Sequence, residues 1–332
     1  MGKRIRLCSS VLLGASVVLG ATLPRSGHLR AATLTPVIQM MNFFPEPEEG
    51  GNYAAQALGI YKKYGLDSSI AAFPVNAINA ISPVAAGKVQ FGMAGADEVL
   101  TARQQGIPIV TLFAVYQDTE FGLMWHAEDT SIKSIADLSG HKVIYLLGSA
   151  YWNYLAKKYK YHDIKGINYD FTLRLFLNDK TAVNQCSIAA EPYTALQAGQ
   201  KVIAKSLAST GFNPYGNVMF TTEDMIKNHP DVVRSYVKAT LEGWNTYLKN
   251  PRPVNAYMQK QEGMKNAPMS MAAMDYDVRV SRPLITGGDA ARGGIGAMSA
   301  ARWATLYKQL AGVGIKLDKA KATDAYTLQF LR

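Results

Sequence analysis

The stretch Asn42-Phe-Phe-Pro-Glu-Pro-Glu-Glu-Gly-Gly-Asn-Tyr53, continuing as Ala54-Ala-Gln-Ala-Leu-Gly-Ile-Tyr-Lys-Lys-Tyr-Gly65, decides how the chain is read. Val37 to Met41 before it is an apolar run of strand length, and Pro45, Pro47, Gly50 and Gly51 forbid its continuation. Beyond the loop Ala54, Leu58 and Tyr61 recur at helical spacing, with Gly65 as a stop. Strand, loop with Phe43, Phe44 and Tyr53, then helix is how an open α/β sheet presents a ligand at the carboxyl end of a strand. Two adjacent phenylalanines also suit a core, and that alternative stands beside the ligand role.

Outward from that loop the same alternation repeats. Leu66–Phe73, Val89–Ala94 and Ile107–Val115 read as further strands, and Asn52–Tyr64, Asn76–Ala86 and Asp97–Gln105 as helices. Asp97 follows the strand Phe91-Gly-Met-Ala and has the position of a helix cap. A second unit begins near Phe121 and holds the strand Lys142–Leu147. There Gly148-Ser149 opens a helix with Tyr151, Trp152 and Tyr154 in its first turn, where backbone N–H groups and aromatic faces can meet a ligand. Phe171–Leu177 reads as a strand, and Pro192 marks a helix start beside Glu191. Gly211 to Gly216 is a turn-rich return to the strand Asn217–Phe220. Helices are expected at Thr222–Asn228, Pro230–Leu248, Val254–Gln261, Ser270–Val280, Ile295–Leu310 and Lys319–Leu331.

Residues 1–32 read as a secretory leader. Lys3, Arg4 and Arg6 form its basic head and Val11 to Leu23 an apolar run too short to span a bilayer, while Cys8 lies ahead of that run and is not placed for lipid attachment. The formal charge of +10 falls to +5 for a chain starting at Thr33. Its basic residues are scattered, so no nucleic-acid surface is expected. Cys186 is then the sole thiol, which excludes an intramolecular disulfide and cysteine-rich metal or redox motifs. His126, His141, His162 and His229 lack partners at ligand spacing, and no metal or cofactor is expected. The sequences of a nucleophile elbow, a phosphate loop, a dinucleotide fold and a zinc protease are all missing.

Aromatics instead collect at strand ends and junctions: Phe43, Phe44, Tyr53, Tyr116, Trp125, Tyr151, Trp152, Tyr193 and Tyr215. With the isolated acids Asp97 and Glu191 they compose a cleft able to stack a flat ring and bond its edge.

In order and spacing the chain resembles the substrate-binding proteins of bacterial ABC importers, in the NMT1/THI5-like group that binds thiamine-pyrimidine precursors and is related to the sulfonate and nitrate binders. The resemblance rests on Phe43-Phe44-Pro45 with Tyr53 and Gly59-Ile-Tyr61, on Phe91-Gly92, Asp97-Glu98 and Gly106-Ile-Pro108, on Ile132-Lys133-Ser134, Glu191-Pro192-Tyr193 and Pro214-Tyr215, and on Gly243-Trp244 and Arg302-Trp303. It covers nearly all of the chain after residue 32. Precursor binders often carry Asp-Trp where this chain has Asn42-Phe43 and a His where it has Glu49.

The resemblance implies an α/β protein with the two-lobed periplasmic binding protein fold of type II, a ligand cleft between the lobes and C-terminal helices packed on the first lobe. The expected divisions are 1–32 leader, 33–120 first lobe, 121–214 second lobe and 215–332 return and tail, with hinges near Phe121–Trp125 and Thr210–Tyr215. It implies a monomeric periplasmic protein, not an enzyme, that passes a small molecule to an ABC permease in the inner membrane. Asn42, Phe43, Phe44, Tyr53, Asp97, Trp125, Tyr151, Trp152, Glu191 and Tyr215 are its candidate ligand-binding residues. The ligand would be a thiamine pyrimidine precursor or a related heterocycle such as a purine or flavin. A binder of a small anion using the Gly148-Ser149 helix start, and an exported enzyme using Glu191 and Asp97, are the alternatives.

Overall fold

A computed structural model describes Gly2 and residues 33–71, 80–265 and 268–331. The leader expected over residues 1–32, with Cys8, lies outside the described residues, as do the end of the Leu66–Phe73 strand and the start of the Asn76–Ala86 helix. Among the described residues no helix is long and apolar enough to cross a membrane.

The strands form two five-stranded sheets. The first contains β1 (Thr35–Met40), β2 (Leu66–Ala71), β3 (Phe91–Ala94), β4 (Ile109–Tyr116) and, from far along the chain, β10 (Gly216–Thr222), in the order β2-β1-β3-β10-β4. β1 runs parallel to β2 and β3, while β10 is antiparallel to β3 and β4. The second contains β5 (Phe121–His126), β6 (Lys142–Tyr145), β7 (Lys165–Asn168), β8 (Ala182–Ser187) and β9 (Val202–Ser206), in the order β7-β6-β8-β5-β9. Here β6 is parallel to β7 and β8, and β5 is antiparallel to β8 and β9.

Helices cover both faces of the first sheet, so its central strands are apolar on both sides. On β10 Met219 joins the cluster of Phe91, Tyr236 and Trp244, while Val218 and Phe220 join the opposite one with Leu100 and Trp303. On the Met219 face the helix Pro230–Lys249 meets the helix Gly50–Ala57 at glycines: a Cβ on Gly243 would sit 2.3 Å from the Gly51 carbonyl oxygen. That close approach seats the loop 42–49 at the end of β1.

The tail closes the outer edge of β4, where Tyr326 bridges Thr111 and Gly296 bridges Ala114. Arg302 and Gln309 of the helix Ala300–Gly312 reach the carbonyls of Asn213 and Gly211. The sheets are joined by residues 117–120 and 207–215, and these segments are hydrogen-bonded to each other: Thr119 N–H donates to Asn213 Oδ1 at 2.9 Å, and Asn213 Nδ2 donates to Asp118 at 2.6 Å.

Four local expectations are corrected. Phe171–Leu177 is not a strand: Phe171 has a left-handed φ of 60° and a short helix, Arg174–Asn178, follows, burying Phe176. The strand lies earlier, at β7, whose exposed edge position leaves it without an apolar signature. The helix expected from Ile295 starts at Ala300, because Gly294 and Gly296 take positive φ. Between Lys319 and Leu331 only a single 3-10 turn forms, Ala322–Ala325. The first connection is residues 117–120, since Phe121–Trp125 is already β5.

Candidate functional site

The carboxyl ends of β1, β3 and β4 and the start of antiparallel β10 share one edge of the first sheet, because Gly216 pairs with Tyr116. At that edge Asn42 Nδ2 donates to Asn217 Oδ1 at 2.8 Å. The remaining amide groups of the pair, Asn42 Oδ1 and Asn217 Nδ2, are buried without a hydrogen-bond partner. Asn217 holds a left-handed φ of 42°, a conformation that asparagine tolerates better than most residues. Beside it the Glu120 carboxylate fills the space a side chain at 216 would need; a Cβ there would lie 2.1 Å from Oε2 and would make that carboxylate shift.

The second sheet presents the ends of β6 and β8 to the same region. Glu191 folds back on the end of β8, its oxygens accepting the Ser187 N–H at 2.7 Å and the Tyr169 hydroxyl at 2.9 Å. The Ser187 hydroxyl donates across to Glu48 at 2.6 Å. Two aromatic pairs also span the sheets, Phe43 with Phe171 at 6.4 Å and Tyr193 with Tyr276 at 5.0 Å between ring centroids.

Carboxylates dominate the electrostatics. Glu46, Glu48 and Glu49 come from the loop and the 3-10 turn Pro47–Glu49, Glu120 from the first connection, and Asp277 from the buried face of the helix Met271–Thr286. Burial pushes all five above the ordinary carboxylate range, and neighbouring carboxylates add to the rise at each. Glu48 lies within electrostatic reach of Glu46, Glu49, Glu120, Asp277 and Glu191. Burial and then Glu48, Asp277 and Glu120 push the Tyr116 phenol up as well. Glu49 Oε1, Glu120 Oε2 and Asp277 Oδ2 are buried and accept no hydrogen bond. None of the five is in an ion pair with a described residue.

Of the residues expected from sequence, Asn42, Phe43, Asp97 and Glu191 gather around this nest. Asp97 is not the cap of its helix: Gly95 is, and Asp97 is the second residue of Ala96–Gln104, raised by burial and itself raising Glu120. Glu191 is the first residue of the helix Glu191–Gln197, and burial raises it too. Phe44 packs edge-on against Phe43, with centroids 5.0 Å apart. Tyr53 is buried in the first helix, and Glu49 adds to the burial that raises its phenol.

The rest are engaged elsewhere. The Tyr151 hydroxyl donates to Gln185 at 2.6 Å, and Trp152 stacks on Tyr145 at 4.1 Å. Trp125, a residue of β5, is wholly enclosed in the core. Tyr215 donates to Asp289 and accepts the Ser299 N–H at 2.8 Å, with the Arg302 guanidinium 4.0 Å above its ring.

Sequence reasoning missed the acids of the nest. One signal was readable: Asp277 shares a helical stripe with Met274, Val278, Ser281 and Ile285, which places an acid on a buried face.

A riboflavin-binding protein, RibY, of Chloroflexus aurantiacus is 29% identical over 231 residues, which are 66% of this chain and 64% of that protein. The chain therefore spans somewhat under two thirds of that relative. A 4-amino-5-hydroxymethyl-2-methylpyrimidine phosphate synthase of Saccharomyces cerevisiae is 24% identical over 228 residues, 64% of this chain and 67% of the synthase. Among solved structures the periplasmic aliphatic sulphonate binding protein SsuA of Escherichia coli superposes with a TM-score of 0.64 at 16% identity, covering 83% of this chain and 85% of that one. That likeness establishes the periplasmic binding protein fold. The NMT1/THI5 like family model matches residues 46–254, well over half of the 332, a span that begins in the acidic loop and includes the whole second sheet, and by that match the chain belongs to the NMT1/THI5 like family.

Proposed function

We propose that this chain is the solute-binding component of an ABC importer. It captures a small, aromatic, nitrogenous molecule in the periplasm and hands it to a permease in the inner membrane. The observation that carries this reading is the junction itself: the two sheets touch through Ser187 and Glu48 and are joined by two connections hydrogen-bonded to each other, an arrangement that suits hinged lobes. The lobes are taken as residues 33–120 with 215–332, and 121–214.

The names of two relatives favour a nitrogen heterocycle, one riboflavin and one an aminopyrimidine. The acids favour it too, since carboxylates accept the N–H groups that line such rings and repel a sulfonate or nitrate. Asn42 and Asp97 would orient the ring edge, and Phe43 and Phe44 would cover its face. Asp97 and Glu191 act here by accepting hydrogen bonds and not by moving protons. Both Glu191 oxygens already accept a hydrogen bond, from the Ser187 N–H and the Tyr169 hydroxyl, which favours an orienting role.

Native mass spectrometry of protein purified from its host, followed by small-angle scattering with the co-purified molecule, tests the reading. A bound heterocycle and a smaller radius of gyration are expected. Conversion of the molecule to a product would replace binding with catalysis.

A further inference from the structure

Phe171 follows the carboxyl end of β7, on the second sheet's side of the junction, and two of its properties run against what its side chain prefers. It is 60% exposed although large and apolar, and its φ of 60° lies in the left-handed region. Glycine and asparagine enter that region readily, whereas a bulky side chain held there is an outlier. Such a residue persists only where its surroundings over-determine it, and positions of this kind cluster at ligand clamps.

Here the surroundings act from both sides. Tyr169 is buried, and its hydroxyl donates to Glu191 at 2.9 Å. Asp170 Oδ1 accepts the Thr172 N–H at 3.1 Å and the Thr172 hydroxyl at 2.7 Å, closing the turn that carries Phe171 at its tip. These anchors fix the backbone and leave the ring outside the core. Within its own half the ring meets Tyr169, 5.3 Å away between centroids, and across the junction it meets Phe43 at 6.4 Å, with 40° between the ring planes.

The distance to Phe43 has a chemical meaning. Carbon atoms in contact lie about 3.5–4.0 Å apart, so the faces on either side of one flat ring stand about 7–8 Å apart. Phe43 and Phe171 need an opening of only about 1 Å, and a rotation out of their tilt, to admit such a ring.

We propose that Phe171 is a ligand-binding residue of the second lobe, and that the transported molecule is a flat heteroaromatic ring inserted between Phe43 and Phe171. The proposal rests on the solute-binding reading and deepens it. Phe43 holds one face of the ring from the first sheet and Phe171 the other from the second, so the ring itself joins the lobes. The left-handed backbone at 171 is the cost of presenting that face.

Three flat probes test this, riboflavin, 4-amino-5-hydroxymethyl-2-methylpyrimidine and adenine, with ethanesulfonate as a compound that has no ring. Titration calorimetry on the ligand-free full chain is expected to show binding of at least one flat probe. Phe171→Leu keeps the apolar bulk but removes the face, and should weaken that probe about three- to tenfold. Phe171→Tyr keeps the face and should stay within about twofold of wild type. Phe171→Asn suits the backbone and discards the ring, so it should bind as poorly as Phe171→Leu while its ligand-free urea midpoint is no lower than that of wild type.

Equal affinity in wild type and Phe171→Leu, an equal loss in Phe171→Leu and Phe171→Tyr, or a midpoint of Phe171→Asn below wild type overturns the assignment. Failure of all three flat probes to bind, or a response to ethanesulfonate alone, also overturns it, yet leaves the solute-binding reading standing. That reading falls separately, if the host-purified protein carries no small molecule and scattering shows no compaction with any of the four compounds.

Discussion

The Ser187 hydroxyl donates to the Glu48 carboxylate at 2.6 Å, and through this bond the last residue of β8 touches the loop that follows β1. It is a direct polar tie between the two sheet edges. A single hydrogen bond contributes about 0.5–1.5 kcal/mol, so Ser187→Ala should shift the ligand-free protein towards the open state and weaken ligand by up to about tenfold. Scattering and calorimetry on the same variant check this. Unchanged affinity would mean that closure does not depend on the bond.

The junction acids give the ligand-free protein a pH-dependent stability. Burial and mutual repulsion raise Glu48 to about 7 and Glu120 to about 8, from an ordinary 4.5. Groups whose folded-state pKa is raised contribute stability that is complete below the unfolded value and is lost as pH rises through the folded one. Between about pH 5 and pH 8 the unfolded chain ionises while the folded nest keeps its protons, and stability falls by about 1.4 kcal/mol per pH unit for each proton so retained. The groups facing these two are Glu46, Glu49, Asp97, Glu98, Asp277, Glu191 and Tyr116, whose charges bear on the nest. Urea midpoints at the two ends of that range measure the slope; a rise with pH contradicts it.

Glu191 is bonded on both oxygens, so its substitution reports on structure before it reports on ligand. Glu191→Gln can keep an acceptor for the Ser187 N–H only by turning its amide N–H towards the Tyr169 hydroxyl, which must then accept instead of donate, and with the lost charge this should cost about 1–3 kcal/mol, or a few degrees of melting temperature. Any loss of affinity should then match that of Ser187→Ala, since Glu191 holds Ser187 in place. A much larger loss at unchanged stability would put Glu191 on the ligand.

Tyr215 offers the converse test. Its hydroxyl joins Asp289 to the Ser299 backbone and its ring lies under Arg302, so Tyr215→Phe unpairs a backbone N–H at the head of the helix Ala300–Gly312. The expected outcome is a loss of about 1–3 kcal/mol in stability with ligand affinity unchanged. Chemical denaturation and calorimetry together decide between that and a direct ligand contact.

Gly243→Ala should lower stability by about 1–3 kcal/mol and also weaken ligand, because pushing the helix Pro230–Lys249 off Gly51 shifts the helix that carries the acidic loop. A variant that melts lower yet binds normally would show the loop to be seated independently.

The sequence alternation of short apolar runs with capped helices made β1, β3 and β4 of the first sheet and β6 of the second legible, since each is an apolar run with buried residues. β7, β8 and β9 were not legible, for different physical reasons. β7 and β9 are edge strands with exposed polar residues, and β8 carries Asn184 and Gln185 buried in its middle, which breaks the apolar pattern. The site divided in the same way. Asn42, Phe43, Asp97 and Glu191 stand at or near strand ends, where sequence reading looks for a site, whereas Glu120 and Asp277 lie 157 positions apart and each comes within electrostatic reach of Glu48 only in the folded chain. Pattern alone also could not show that Trp125 and Tyr215 were enclosed.

Because β10 lies between β3 and β4, the order of synthesis leaves the first sheet with an internal gap for much of translation. β4 has no strand beside it until residue 216 is made, and its outer edge waits still longer for Gly296 and Tyr326. Every strand of the second sheet, by contrast, lies between residues 121 and 206. A growing chain can thus finish the inserted half while eight buried residues of β4 are still exposed, with their backbone groups open to any passing strand. Fragments that stop before residue 222 should aggregate through β4, and keeping the chain unfolded until its tail is complete protects it from that fate.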